Sequence, residues 1–319
     1  MATKYAPACI QQFVYPGHDL DIEWFNTPPP PAGESEDCLN VNIYAPVNGK
    51  NKTVMVWFYG GALASGANSL TAYDGSYFAA FQDVIIVTVN YRTNVFGFPG
   101  TPELPANATN LGFLDQRFAL AWVERNIAAF GGDPAKVTIF GQSAGSESVD
   151  ALVTSFAKNA PFRAAIEESG QSTFLNPIPD PYAAWNTLAA AMGCNGSASA
   201  LACMRGLPAT SINNILLQCH DPAALDLPGA GVYHASEVRI VFGTYRMVSG
   251  QSPFEQKLSN YMMGAWASFA KNPMRGPGWS QLPMMADLGA NGVLHTTIPA
   301  STIDARCSLF DPVYDLLEE

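Results

Sequence analysis

Two short runs in this chain hold almost nothing but apolar, largely β-branched residues: Val54-Met55-Val56-Trp57-Phe58 and Val84-Ile85-Ile86-Val87-Thr88-Val89. A strand with one buried face alternates apolar with polar positions, so unbroken runs of this length predict parallel strands covered on both faces. From Asp115 to Phe130 the period changes. Phe118, Ala119, Trp122, Ile127 and Phe130 recur at helical spacing, and Gly131-Gly132-Asp133-Pro134 supplies a stop. A third apolar stretch, Val137-Thr138-Ile139-Phe140, follows at once. Strand, helix and strand joined by short connections predict a right-handed crossover in an α/β sheet. The prolines from Pro28 to Pro31 read as a rigid surface loop leading into an apolar strand. No internal repeat is present.

The third apolar stretch runs directly into Gly141-Gln142-Ser143-Ala144-Gly145, and the residues beyond it read as helix. A serine on a sharp glycine turn between a strand and a helix is a nucleophile elbow, which makes Ser143 the candidate nucleophile. The glycines leave room for a strained backbone that presents the serine oxygen above the sheet. The bland alternative is a strand-to-helix turn without chemistry. Gly60-Gly61-Ala62 follows the first apolar run, where this fold class places oxyanion donors. With the amide after the nucleophile, the candidate donors are Gly61, Ala62 and Ala144. Chain order of nucleophile, acid and histidine excludes His18 and leaves His220, His234 and His295 as bases.

Composition narrows the partners. The 319 residues are 48% hydrophobic and 13% charged, enough to bury a sizeable core. The net charge of −11, from 16 basic against 27 acidic residues, excludes a nucleic-acid partner, whose phosphates must be neutralised by Lys and Arg. No apolar stretch is long enough to span a membrane, and no signal peptide is evident. The six cysteines form no CxxC pair and no spacing with histidine suited to zinc, so neither a metal nor a cofactor is expected. Even cysteine arithmetic and the sequons Asn51-Lys52-Thr53, Asn107-Ala108-Thr109 and Asn195-Gly196-Ser197 favour an extracellular or secretory compartment.

The motifs together resemble the type B carboxylesterase/lipase family, which includes cholinesterases and fungal secreted esterases. The resemblance is carried by Ser35-Glu36-Asp37-Cys38-Leu39-Asn40-Val41-Asn42, the strand and glycine loop at 54–62, Asn90-Tyr91-Arg92, Gly112-Phe113-Leu114-Asp115-Gln116, Phe130-Gly131-Gly132-Asp133-Pro134 and the serine elbow. It resumes in Gly231-Val232-Tyr233-His234-Ala235-Ser236-Glu237 and Trp266-Ala267-Ser268-Phe269-Ala270. It implies a single α/β-hydrolase domain over residues 1–319, with a mostly parallel central sheet flanked by helices. The expected activity is hydrolysis of a small-molecule or lipid carboxylic ester through an acyl-serine, with Ser143 as nucleophile and His234 as base. It also implies disulfides Cys9 to Cys38 and Cys194 to Cys203, whose loops of about 30 and 10 residues correspond to roughly 3.6 and 2.7 kcal/mol of chain entropy. Cys219 and Cys307 remain unassigned.

The departures shape the expectations. Strands that the family places before Lys4, and those around its acid loop, are expected to be missing, with an apparent internal deletion near 217–227. No catalytic acid is identifiable. Asp221 and Asp226 read as solvated loop carboxylates, and Glu237 lies close along the chain to His234. The alternative on the same fold is therefore a catalytically impaired or non-catalytic binding protein. A cytosolic ester-binding module would instead require reduced cysteines. The stretch Phe162-Arg163-Ala164-Ala165-Ile166 is expected to form an exposed sheet edge through which copies associate.

Overall fold

The computed structural model describes residues 4–13, 28–172, 180, 182–218, 234–247 and 252–304. Its central sheet contains β1 (Val41–Tyr44), β2 (Lys52–Phe58), β3 (Ile85–Val89), β4 (Gly132–Gln142) and β5 (Ala164–Glu168), in the spatial order β1-β3-β2-β4-β5. The pairs β2/β3, β2/β4 and β4/β5 are parallel, whereas β1 runs antiparallel to β3. The helices used below are α1 (Ser76–Gln82), α2 (Leu111–Asn126), α3 (Ala144–Ser155), α4 (Ala183–Ala191), α5 (Ala200–Arg205), α6 (Ala209–Gln218), α7 (Val238–Phe242) and α8 (Pro253–Lys271). β6 (Met284–Leu288) and β7 (His295–Pro299) form a separate antiparallel pair.

The continuous apolar runs have the predicted cause. On one face of the sheet Met55, Trp57, Ile86 and Phe140 pack against Val241 and Phe242 of α7 and Met262 and Met263 of α8. The opposite face sets Val54, Val56, Phe58, Val87 and Ile139 against Leu120 and Val123 of α2 and Val149 and Leu152 of α3. Each strand therefore needs apolar side chains at odd and even positions alike. The Trp57 ring anchors the first layer, with centroids 4.8 Å from Phe140 and 4.9 Å from Phe242. A third cluster, formed by Trp185, Leu188, Met204 and Ile212, joins α4, α5 and α6, and the Cys194–Cys203 disulfide closes it. The second disulfide joins the buried Cys9 and Cys38.

Two sequence expectations change. The helix begins at Leu111 rather than Asp115 and passes at Ile127 into a 3-10 turn, Ile127–Phe130. Its buried face is Gln116, Ala119, Leu120 and Val123, while Phe118 and Phe130 are exposed. Of the five apolar residues at helical spacing, Ala119 and Ile127 are buried and Trp122 packs against the core, while the polar Gln116 is buried through a hydrogen bond to Ser148 Oγ at 2.9 Å. The glycine pair also does more than stop the helix. Gly131 adopts φ +85, and β4 already begins at Gly132, pairing with Lys52. The expected deletion near 217–227 falls mostly on residues outside those described, as do Asp221, Asp226, Cys219, Cys307, His18 and His220.

Candidate active site

The serine stands where β4 ends and α3 begins. Ser143 has φ 55 and ψ −127, a backbone conformation that L-residues rarely hold and that the surroundings must impose. They do so through close approach. A Cβ on Gly145 would lie 2.1 Å from the Phe58 carbonyl oxygen, and one on Gly141 would lie 2.4 Å from that of Gly145. Only glycine fits at either position. The Ser143 N–H donates to the Glu168 carbonyl at 2.9 Å, which ties the elbow to the end of β5. Ser146 Oγ donates to the Gly170 carbonyl at 2.7 Å, and Ser148 Oγ to that of Ala144 at the same distance.

The glycine loop lies against this elbow. A Cβ on Gly60 would meet Ser143 Cβ at 2.9 Å, so the loop and the serine are in contact. Gly61 takes φ 118, and Ala62 and Leu63 take φ 54 and 56. Ala62 thus sits in the left-handed region despite its Cβ, a strained position held because Ala64 and Ser65 N–H both donate to the Gly61 carbonyl. Among the described residues no hydrogen bond engages the N–H groups of Gly61, Ala62 or Ala144. The loop's flanks are fixed by reciprocal bonds, Tyr59 Oη to the Tyr91 carbonyl at 2.8 Å and Tyr91 Oη to the Tyr59 carbonyl at 2.6 Å. Arg92 then grips the buried Asp115 with two nitrogens at 2.7 and 2.8 Å, locking the segment after β3 onto α2.

His234 reaches the same corner but meets a different partner. Its Nε2 lies 3.3 Å from Gln142 Nε2, and no hydrogen bond joins it to Ser143 in the described residues. With the Gln142 amide donating, His234 Nε2 accepts and the ring proton resides on Nδ1, the tautomer required of a base acting through Nε2. Of the other candidate histidines, His295 lies in the β6/β7 pair, stacked on Tyr261 at 6.1 Å. Chain order did not rank these two, and of them His234 is the one hydrogen-bonded to Gln142, next to Ser143.

Three carboxylates surround this corner, and the sequence reading left all of them unassigned. Glu168 is buried, and burial, offset by a 2.7 Å bond from Trp266 Nε1 to Oε1 and reinforced by the Glu237 charge, leaves its carboxyl pushed up to about 8. Burial also raises Glu237, which the charge of His234 and the Ser169 side chain pull back down. Glu147, in the first turn of α3, is raised by burial and lowered by His234. Glu168 Oε2 and Glu237 Oε1 are both buried without a hydrogen-bond partner. The one sequence signal for Glu168 was its place at the end of an apolar strand neighbouring the elbow strand.

The carboxylesterase family profile matches residues 1–228. The chain belongs to the carboxylesterase family. Mouse cholinesterase is 43% identical to this carboxylesterase-family chain over 203 residues, 61% of this chain and 32% of that protein. Carboxylesterase 5A of Felis catus is 43% identical over 226 residues, covering 67% and 40% of the two. The para-nitrobenzyl esterase of Bacillus subtilis (strain 168) is 47% identical over 173 residues, covering 54% and 34%. The chain thus spans between 32% and 40% of the length of these relatives. These relatives carry the names of esterases. The family match includes Ser143 and the glycine loop and ends before His234.

Proposed function

We propose that this chain is a carboxylic ester hydrolase that works through an acyl-serine. The observation that carries this reading is the strained Ser143 elbow packed directly against the Gly60–Ala62 loop. His234 takes the Ser143 proton, and the freed oxygen attacks the ester carbonyl. The amides of Gly61, Ala62 and Ala144 stabilise the oxyanion until the alcohol leaves with the proton that His234 gives it, and a water that gives a proton to His234 then releases the acyl group as the acid, the proton returning to Ser143. For this step the exposed His234 side chain must exchange Gln142 for Ser143, and catalytic hydrogen bonds commonly tighten only once substrate is bound. No metal or cofactor enters this mechanism. Small-molecule or lipid esters are the substrate class.

The test is the initial rate of p-nitrophenyl butyrate hydrolysis by the chain and by Ser143→Ala. In a well-studied serine hydrolase, losing the nucleophile costs about 2 × 10⁶ in kcat and losing the acid alone about 3 × 10⁴. A fall of thousands-fold or more in the variant is expected of a complete triad and roughly 70-fold of a dyad. Equal rates in folded protein would reject the proposal.

We further propose a secretory or extracellular location and self-association through the β5 edge. Two disulfides support the former, and no helix among the described residues is long and apolar enough to cross a membrane. The sequon residues Asn51, Asn107 and Asn195 are all exposed, as glycan attachment requires. Expression through a eukaryotic secretory route should yield a chain that loses mass with an endoglycosidase. A chain that is exported yet carries no glycan at any of the three would count against this assignment.

A further inference from the structure

Away from the elbow, the described residues enclose a cavity of about 220 Å³ where the segment after β3 meets the helices α4, α5 and α6. Neither Ser143, Ala144 and His234 nor the Gly60–Ala62 loop lines it. Most of its wall is apolar. Trp185, Met204 and Ile212 are buried, and Phe96, from the helical turn Asn94–Gly97, packs against the same cluster. Two ties hold this wall in shape. Cys203, next to Met204, is bonded to Cys194. Glu103, next to Leu104 in the wall, accepts from the Ser199 hydroxyl and from the Leu201 N–H, the latter at 2.9 Å, which clips that loop to the start of α5. A site shaped before its ligand arrives loses less freedom on binding.

Three charged side chains share the lining: Arg92, Arg205 and Glu36. Arg92 commits Nε and Nη2 to Asp115, and no hydrogen bond among the described residues engages its Nη1. Asp115 balances the Arg92 charge but leaves the Nη1 protons without an acceptor. Arg205, in the last turn of α5, has neither hydrogen bond nor ion pair among the described residues, and the same holds for Glu36. Glu36 opposes an anion, yet it is exposed, and water screens an exposed charge. The Arg92 side chain is only 33% exposed, so the most shielded of the three is a hydrogen-bond donor. Guanidinium groups with free N–H donors fit a carboxylate best, because planar donors meet planar acceptors.

The volume sets the size of the rest of the ligand. It is smaller than the clefts of roughly 300–1,000 Å³ that hold drug-sized molecules. Benzene fills an apolar cavity of roughly 150 Å³, so about six carbons and a carboxylate fit here.

We propose that this cavity is a binding site, separate from Ser143, for a small amphipathic monocarboxylate. Arg92 Nη1 and Arg205 receive the carboxylate, and a tail of about six carbons lies among Trp185, Met204 and Ile212. The site goes beyond the ester-hydrolase reading and does not rest on it.

The experiment labels the methionine methyl groups with ¹³C, assigns Met204 through Met204→Leu, and titrates the chain at low ionic strength with hexanoate, hexanol and hexylammonium. The three probes share one tail and differ in head group. Met204 lines the cavity and not the elbow, so its signal separates binding here from binding of the acid near Ser143. The expected result is a saturable shift of Met204 with hexanoate, at an affinity roughly fivefold or more above that of hexanol, with hexylammonium the weakest. R205Q should remove most of the preference for acid over alcohol, and E36Q should enlarge it; both replace exposed side chains. A Met204 signal that no probe moves would overturn the site. Hexanoate binding no tighter than hexanol, or more weakly than hexylammonium, would overturn the carboxylate assignment, as would an R205Q chain that keeps the full preference. Ser143→Ala should bind hexanoate in the cavity as the wild type does. A chain whose hydrolysis is independent of Ser143 but whose Met204 signal responds as expected would sink the hydrolase reading and leave this site standing.

Discussion

Glu168 makes a residue-scale prediction that concerns stability rather than rate. Its folded-state pKa, about 8, lies above the ordinary glutamate value. A carboxyl whose folded pKa is raised favours folding fully below its unfolded pKa, and that contribution is lost as pH rises through the folded value. Between about pH 4.5 and 8 the unfolded chain has released this proton and the folded chain has not, so stability falls with pH by at most roughly 1.4 kcal/mol per unit from this group. Glutamine at 168 retains an oxygen to accept from Trp266 Nε1 and has nothing to titrate. E168Q should therefore unfold much like wild type near pH 5 and be more stable by a few kcal/mol at pH 8. Thermal or urea unfolding of both proteins at the two pH values measures this. A gap that does not widen with pH would show that Glu168 is ionised in the folded state.

At the scale of elements, the sequence was most legible where one physical cause dominated. The runs at 54–58 and 84–89 became β2 and β3 because both faces of each are covered, and nothing else explains so many consecutive apolar side chains. The elbow was equally legible, since strand, glycine turn and helix each left a local mark. Less was visible where local signal and tertiary context competed. β1 carries the polar Asn42, whose amide donates to the Asn68 carbonyl at 3.0 Å and to Thr88 Oγ1 at 3.2 Å, so no apolar run announced it. The β6/β7 pair is only half-buried and lacked the packing pressure that enforces alternation. α8 carried a signal that was not used: Ser252 Oγ accepts from Glu255 N at 3.1 Å while Glu255 Oε2 accepts from Ser252 N at 2.6 Å, a capping box with Pro253 in the first turn. The carboxylates near His234 were illegible for another reason. Their environment is assembled from β5, α7 and α8, far apart in sequence, and no local pattern encodes a distance between such segments.

At the scale of the whole molecule, the sheet formed by the described residues ends in two strands that each pair on one side only among those residues, β1 and β5. β5 is short and contains no proline, and Ala164, Ala165 and Ile166 are only half-buried. One exposed charge interrupts it, Glu167, whose carboxyl burial and the Asp150 charge push up, making it easier to neutralise than an ordinary surface glutamate. A strand edge with so little to deter pairing is a template for another copy, since every unpaired N–H and C=O along it gains a partner when two edges meet. The net charge of −11 opposes association at low ionic strength. The two effects together predict self-association that strengthens as salt screens the repulsion, the reverse of what an interface held by opposite charges would do. Light scattering after size exclusion should then give a mass that rises with protein concentration and with added sodium chloride. Ala164→Lys, which adds a charge at the start of the edge, should return the chain to a monomer under the same conditions. A wild-type chain that stays monomeric at high concentration and high salt would mean that the β5 edge is protected, and the proposal of pairing through it would fall.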